Sequence, residues 1–120
     1  MLRIEIQSRN GVAILHCSGR VVFGVEVEML RSMATSRTEA CVRIDLSRVE
    51  KIDATGLGLL VELQTWARAK RKNLTYLDPS EHVWLLIILT KLYNSLEISY
   101  SDVIQFSGEI DDCGRQELIA

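Results

Sequence analysis

Several residue types are scarce in this chain, and each scarcity narrows what the protein can be. Histidine occurs twice, at His16 and His82, far apart and with no CxxC or HxxxH spacing near either, so the sequence offers no metal-ligand pattern. The three cysteines, Cys17, Cys41 and Cys113, are odd in number and widely spaced, which argues against a disulfide framework. Cys17 and Cys41 lie in apolar strand-like runs, where a free cysteine is usually a small core residue. Proline appears once, at Pro79, and no repeat or low-complexity linker interrupts the 120 residues. Neither sign of charge dominates: the formal net charge is -2, so no bulk positive field exists for non-specific nucleic-acid binding. The longest apolar run, Val83–Leu89, falls far short of the roughly 20 residues that span a bilayer. The opening Met-Leu-Arg-Ile-Glu-Ile has the alternation of a strand, without the regions of a signal peptide. A cytoplasmic location follows as the expectation, with no nucleic-acid partner, no membrane insertion, and no metal or cofactor.

What is present suits one α/β domain. Hydrophobic residues make up 48% of the chain and charged residues 25%, ordinary values for a chain long enough to bury a real core. Leu2, Ile4 and Ile6 alternate with polar residues, Asn10-Gly11 is a hairpin turn signal, and Val12–Ser18 returns as a second strand that Gly19 is expected to end. Val27, Leu30, Met33 and Ala34 form a helical stripe over 25–36, with Glu26, Glu28 and Arg31 on its wet side. Val42, Ile44 and Leu46 share a face of a short strand over 41–46, after which turn residues are expected. A helix over 56–71, a strand over 74–77, a helix over 81–91 begun by Pro79-Ser80, and a strand over 96–100 complete the order. Arg68, Lys70, Arg71 and Lys72 crowd the end of the helix over 56–71, where cations favour the negative end of the dipole. Strands alternating with helices imply parallel pairing through right-handed crossovers. The expected fold is a small mixed, mostly parallel sheet with an N-terminal hairpin and helices mainly on one face. The domain is expected to span 1–108, with Val103, Ile104 and Phe106 available to pack and 109–120 as a tail.

The stretch "IDATGLGLL" over 52–60 carries the chemistry. Gly56-Leu57-Gly58 resembles the start of a dinucleotide fingerprint, but Val61 stands where that fingerprint needs a third small residue. No GxxxxGK[ST] string and no G-x-S-x-G elbow occurs, and neither histidine has a sequence-level link to a nucleophile. Asp45 at a strand end is not accompanied by the paired acids of a receiver-domain magnesium site. What remains is a hydroxyl, Thr55, at or beside a helix N-terminus, where free N–H groups and the dipole favour an anion. Asp53 or Thr55 can cap that helix, and capping and accepting a phosphate are compatible roles. The run Val83–Leu89, apolar on all sides, is expected to be buried on more than one side; the alternative is that Trp84 or Leu85 joins a partner or homodimer surface.

The segment "VRIDLSRVEKIDATGLGLLVELQTWAR" resembles the signature region of the STAS family, the anti-sigma-factor antagonist domains, through Asp45, Leu46, Ser47, Asp53, Thr55, Gly56, Leu57 and Gly58. The later "LTYLDPSEHVWLLIILTKLYNSLEI" is similar to the family's following strand, Asn/Asp-Pro-Ser, helix and final strand, so the likeness covers roughly 2–100. The resemblance implies a regulatory binding module and no enzyme. Its best-known branch sequesters an anti-sigma serine/threonine kinase and is switched off by phosphorylation at the motif's second hydroxyl, here Thr55. Asp53, Ala54, Thr55, Gly56, Leu57 and Gly58 would form the partner surface, with Asp45 and Ser47 in support. Ala54 replaces the motif's first hydroxyl, and Arg20 stands where the regulatory branch often has an acid. A second branch, accessory STAS subunits of phospholipid-transport ABC systems, grips an ATPase subunit instead.

Overall fold

The structure is a computed structural model and describes residues 1–100. The boundary at 108, the packing of Val103, Ile104 and Phe106, the tail over 109–120 and Cys113 lie outside the described residues. Strands β1 (Leu2–Arg9) and β2 (Val12–Val21) form the hairpin, followed by α1 (Val25–Thr35), β3 (Cys41–Ile52), α2 (Ala54–Ala69), β4 (Asn73–Leu77), α3 (Glu81–Leu89), a 3₁₀ turn over Leu92–Asn94 and β5 (Ile98–Ser99). The strands lie in the order β1-β2-β3-β4-β5, antiparallel for the first pair and parallel for the rest. Asn10 and Gly11 both take positive φ, 53° and 79°, as a two-residue hairpin turn with the twist of its strands requires.

One apolar cluster joins the sheet to all three helices, so the helices pack on the same face, the one that carries Val42, Ile44 and Leu46. Val27, Leu30 and Ala34 bring in α1, Leu59, Leu60 and Leu63 bring in α2, and Val83 and Ile87 bring in α3. Two buried polar side chains hold α2 to the sheet. The Tyr76 hydroxyl donates to the Leu60 carbonyl at 2.6 Å. Gln64 donates to the Leu74 carbonyl at 2.9 Å and accepts from the Glu97 N–H at 3.0 Å, bridging from helix to both β4 and the approach to β5. Cys17 and Cys41 are buried and free, and burial, reinforced by the Asp45 charge, pushes the Cys17 thiol up to about 12.

The last strand is shorter than expected, Ile98–Ser99 against 96–100, α3 ends at Leu89 instead of 91, and four larger departures have physical causes. Gly19 does not end β2, which runs on to Val21. Its φ is 108°, and a Cβ there would sit 2.1 Å from the Met1 carbonyl oxygen, so the glycine marks a close backbone approach inside the strand. The residues after Leu46 are not a turn: β3 continues to Ile52, because the extended β2 pairs with it from Ser18 against Arg48 to Val21 against Ile52. Register shifts between His16 and Ser18 and between Gly19 and Arg20 break the alternation, which is why 47–51 lacks a strand pattern.

The helices account for the other two. In α3, Val83 and Ile87 form the single buried stripe, while Leu85 and Leu89 are 54% and 66% exposed, so the apolar run is not buried all round. Trp84 is half-buried, edge-on to Tyr100 at 6.2 Å. Helix α2 starts two residues earlier than expected and ends at Ala69. Beyond its end, Lys72 is not simply solvated: its amine donates to the carbonyls of Arg37 and Glu39 and lies 5.4 Å above the Trp66 ring.

Candidate functional site

The entrance of α2 is built around Asp53. Its backbone is extended, and its side chain caps the helix: Oδ1 accepts from the Gly56 N–H at 2.8 Å and Oδ2 from the Phe23 N–H at 2.9 Å. Partial burial would raise its pKa, but the N–H groups of Phe23, Gly56 and Thr55 outweigh that and hold it below the ordinary carboxylate value. The second contact matters as much as the cap, because it ties the β2–α1 loop to the start of α2.

With Asp53 as the cap, Thr55 is left as the second residue of the helix. It is exposed, and its hydroxyl makes no hydrogen bond among the described residues. Ala54 and Gly58 are exposed beside it, while Gly56 and Leu57 are buried. A Cβ on Gly56 would meet the Val21 carbonyl oxygen at 2.2 Å and Ile52 at 2.6 Å, so only glycine lets the first turn of α2 seat against the end of β2. Gly58 has open space around it. Leu57 points into the core. A partner approaching this surface therefore meets Ala54, Thr55 and Gly58, with Asp53 at the edge.

Two exposed apolar residues follow β2, Phe23 in the β2–α1 loop and Val25 at the start of α1. Phe23 and Val25 are 76% and 78% exposed, far more than large apolar side chains usually are on a small domain. The Phe23–Asp53 bond fixes Phe23 beside the α2 entrance, while Val25 opens α1 and lines a hollow with Met1, Leu2 and Met29. Sequence reasoning missed them. The available signal was "VVFGV", an apolar run broken by a glycine just before a helical stripe that uses neither Phe23 nor Val25.

Asp45 and Ser47 are brought together, but away from the α2 entrance. Ile44 and Leu46 face the core, so Asp45 projects from the sheet face opposite the helices. Its carboxylate accepts from the Ser47 N–H at 2.9 Å and meets His16 Nδ1 at 2.7 Å, while His16 Nε2 faces Gln7 Oε1 at 2.7 Å. Burial opposes ionisation of Asp45, but the bonds from Ser47 and His16 prevail and lower its pKa. The pairing arises from the register, in which His16 stands opposite Asp45 on parallel strands. It is not a hydrolytic triad. The far imidazole nitrogen meets an amide, and the neighbouring Cys17 thiol, raised to about 12, is no nucleophile at neutral pH. Among the described residues no group of three His, Cys, Asp or Glu side chains could hold a metal ion, and no helix is long and apolar enough to cross a membrane.

The profile of a family described as "Mlab, STAS domain" matches residues 7–98. The chain belongs to the STAS domain family. No curated protein matches it. Among solved structures, the Thermotoga maritima protein TM1081 is similar at 18% identity, with a TM-score of 0.74 over 88% of this chain and 95% of its own. SpoIIAA, described as an anti-sigma factor antagonist in its unphosphorylated form, aligns at 16% identity and a TM-score of 0.66 over 92% of this chain and 99% of its own. The phosphorylated form of SpoIIAA, described as a Bacillus cell fate determinant, aligns at 14% identity and 0.64 over 91% and 100%. At these identities the likeness establishes a shared fold.

Proposed function

We propose that the protein is an anti-sigma factor antagonist-like binding module that sequesters an anti-sigma serine/threonine kinase and is switched off by phosphorylation at Thr55. The observation that carries this reading is the division of labour at the α2 entrance: Asp53 takes the cap, leaving the Thr55 hydroxyl exposed and unbonded. That SpoIIAA shares the fold and has been solved both with and without its phosphate supports a hydroxyl switch on this scaffold. The physics is local. A phosphate adds about -1.5 to -2 charges at pH 7. The helix N-terminus accommodates the charge within the domain, so the fold is kept. The partner surface must instead bury a hydrated dianion beside the Asp53 carboxylate, and a loss of only about 2.7 kcal/mol is a hundredfold in affinity. Incubation with the cognate kinase and ATP tests the reading. Intact-mass spectrometry should show one added phosphate, lost in Thr55→Val.

A second reading is a STAS accessory subunit that grips the ATPase of a phospholipid-transport ABC system. The exposed Phe23 beside the α2 entrance favours it, since permanent subunit contacts are more apolar than reversible ones. Arg20 in place of the acid and a family profile described by Mlab are in keeping with it. In that case Thr55 acts by contact: the protein copurifies with an ABC ATPase, and the near-isosteric Thr55→Val retains most of the binding.

A further inference from the structure

The register of β2 gathers positive charge towards one end of the sheet. Ser18 stands between Arg3 on β1 and Arg48 on β3, and further along Arg20 stands opposite Lys51. Like charges directly opposite each other weaken a strand pair. Neither Lys51 nor Arg48 forms an ion pair or hydrogen bond through its side chain among the described residues. Beside them lies a groove of about 470 Å³ with Arg3, Gln7, His16, Ser18, Ser47 and Arg48 in its walls. That volume falls in the range of about 300–1,000 Å³ typical of small-ligand sites. Ser18 and Arg48 also wall an adjoining cavity of about 520 Å³ that reaches Ser80 and His82 and carries two acids, Glu50 and Glu81, so the groove itself is the better place for an anion.

Of the groove's two acids, Asp45 is held by His16 and Ser47, and Glu5 lies 3.8 Å from Arg3 in a largely exposed pair too weak to occupy the guanidinium. The cations and the Ser18 hydroxyl are therefore available as donors. The register shift between His16 and Ser18 puts them there: two residues of β3 are passed over opposite Cys17, which re-aims Arg48 onto Ser18.

We propose that Arg48, Ser18 and Arg3 form a binding site for a phosphate-bearing ligand, with Lys51 further along β3 adding positive potential. A guanidinium offers a planar fork that matches two phosphate oxygens, and a second cation and a hydroxyl can satisfy the others. The site does not involve Thr55 and stands or falls separately from the switch.

The ligand's phosphate can belong to a soluble ester or to a lipid headgroup, and two probes separate these. Amide NMR spectra of the full chain are recorded against sn-glycerol 3-phosphate. Sedimentation is measured with vesicles of phosphatidylcholine alone and of phosphatidylcholine containing phosphatidic acid. A soluble source predicts saturable shifts at Ser18, Ser47 and Arg48, weakened about tenfold by Arg48→Ala and less by Lys51→Ala. A lipid source predicts cosedimentation only with phosphatidic acid, again lost in Arg48→Ala. Arg48 is exposed, so the variant keeps the folded spectrum. No shift with the soluble probe together with no vesicle binding, or binding that Arg48→Ala leaves unchanged, overturns the proposal.

Discussion

Asp53 commits both carboxylate oxygens to backbone N–H groups on two different elements, and two consequences can be measured on that one residue. Asp53→Ala removes the cap and the tie to Phe23 together, and urea unfolding should show a loss of about 1–2 kcal/mol. The pH dependence has a definite sign. The folded-state pKa of Asp53 lies below its unfolded value of about 3.9, so its contribution is complete above about pH 5 and is lost as pH falls through the lowered folded value. Asp53→Asn keeps a capping oxygen but cannot titrate, so its urea midpoint should fall less steeply between about pH 5 and pH 3 than the wild type's. Sequence alone could not choose between Asp53 and Thr55 as the cap, because both side chains are competent. The choice is made by the Phe23 N–H, thirty residues away in the chain, which draws the carboxylate into place. The His16–Asp45 pair was hidden for a similar reason, since adjacency across parallel strands depends on a register that no local pattern encodes.

At the scale of elements, α2 meets the sheet through unequal glycines. Gly56→Ala drives a Cβ into the Val21 carbonyl and should cost about 2 kcal/mol or more, whereas Gly58→Ala enters open space within a helix and should stabilise by about 0.5–1 kcal/mol. Denaturant midpoints of the two variants should therefore move in opposite directions. Tyr76→Phe removes the second, buried donor to the Leu60 carbonyl, which keeps its helical N–H partner, and should cost about 1 kcal/mol by the same assay. The order of elements was legible in the sequence wherever apolar residues keep a clean period, as in Leu2, Ile4 and Ile6 or Val27, Leu30 and Ala34. It was lost where bulges break the period, over Gly19 and 47–51. In α3 the apolarity of the whole run concealed that only Val83 and Ile87 are fully buried, with Trp84 and Leu86 partly so and Leu85, Ile88 and Leu89 exposed.

For the molecule as a whole, the sheet and its three helices share one core, and the Phe23–Asp53 bond ties the β2–α1 loop to the α2 entrance. Asp53 joins the two, the Thr55 hydroxyl is exposed, and Phe23 supplies exposed apolar area at the entrance. The proposed phosphorylation of Thr55 would change the surface and leave the fold alone, so phosphorylated and unmodified protein should unfold at nearly the same urea concentration. The decisive measurement is the affinity of the cognate anti-sigma kinase for the unmodified protein, the Thr55-phosphorylated protein and Thr55→Glu, all verified as folded. The predicted result is tight binding by the unmodified protein and a loss of about a hundredfold or more on phosphorylation, with Thr55→Glu weakened in the same direction. Equal affinity for all three, or no phosphate added at Thr55 by that kinase, would contradict it.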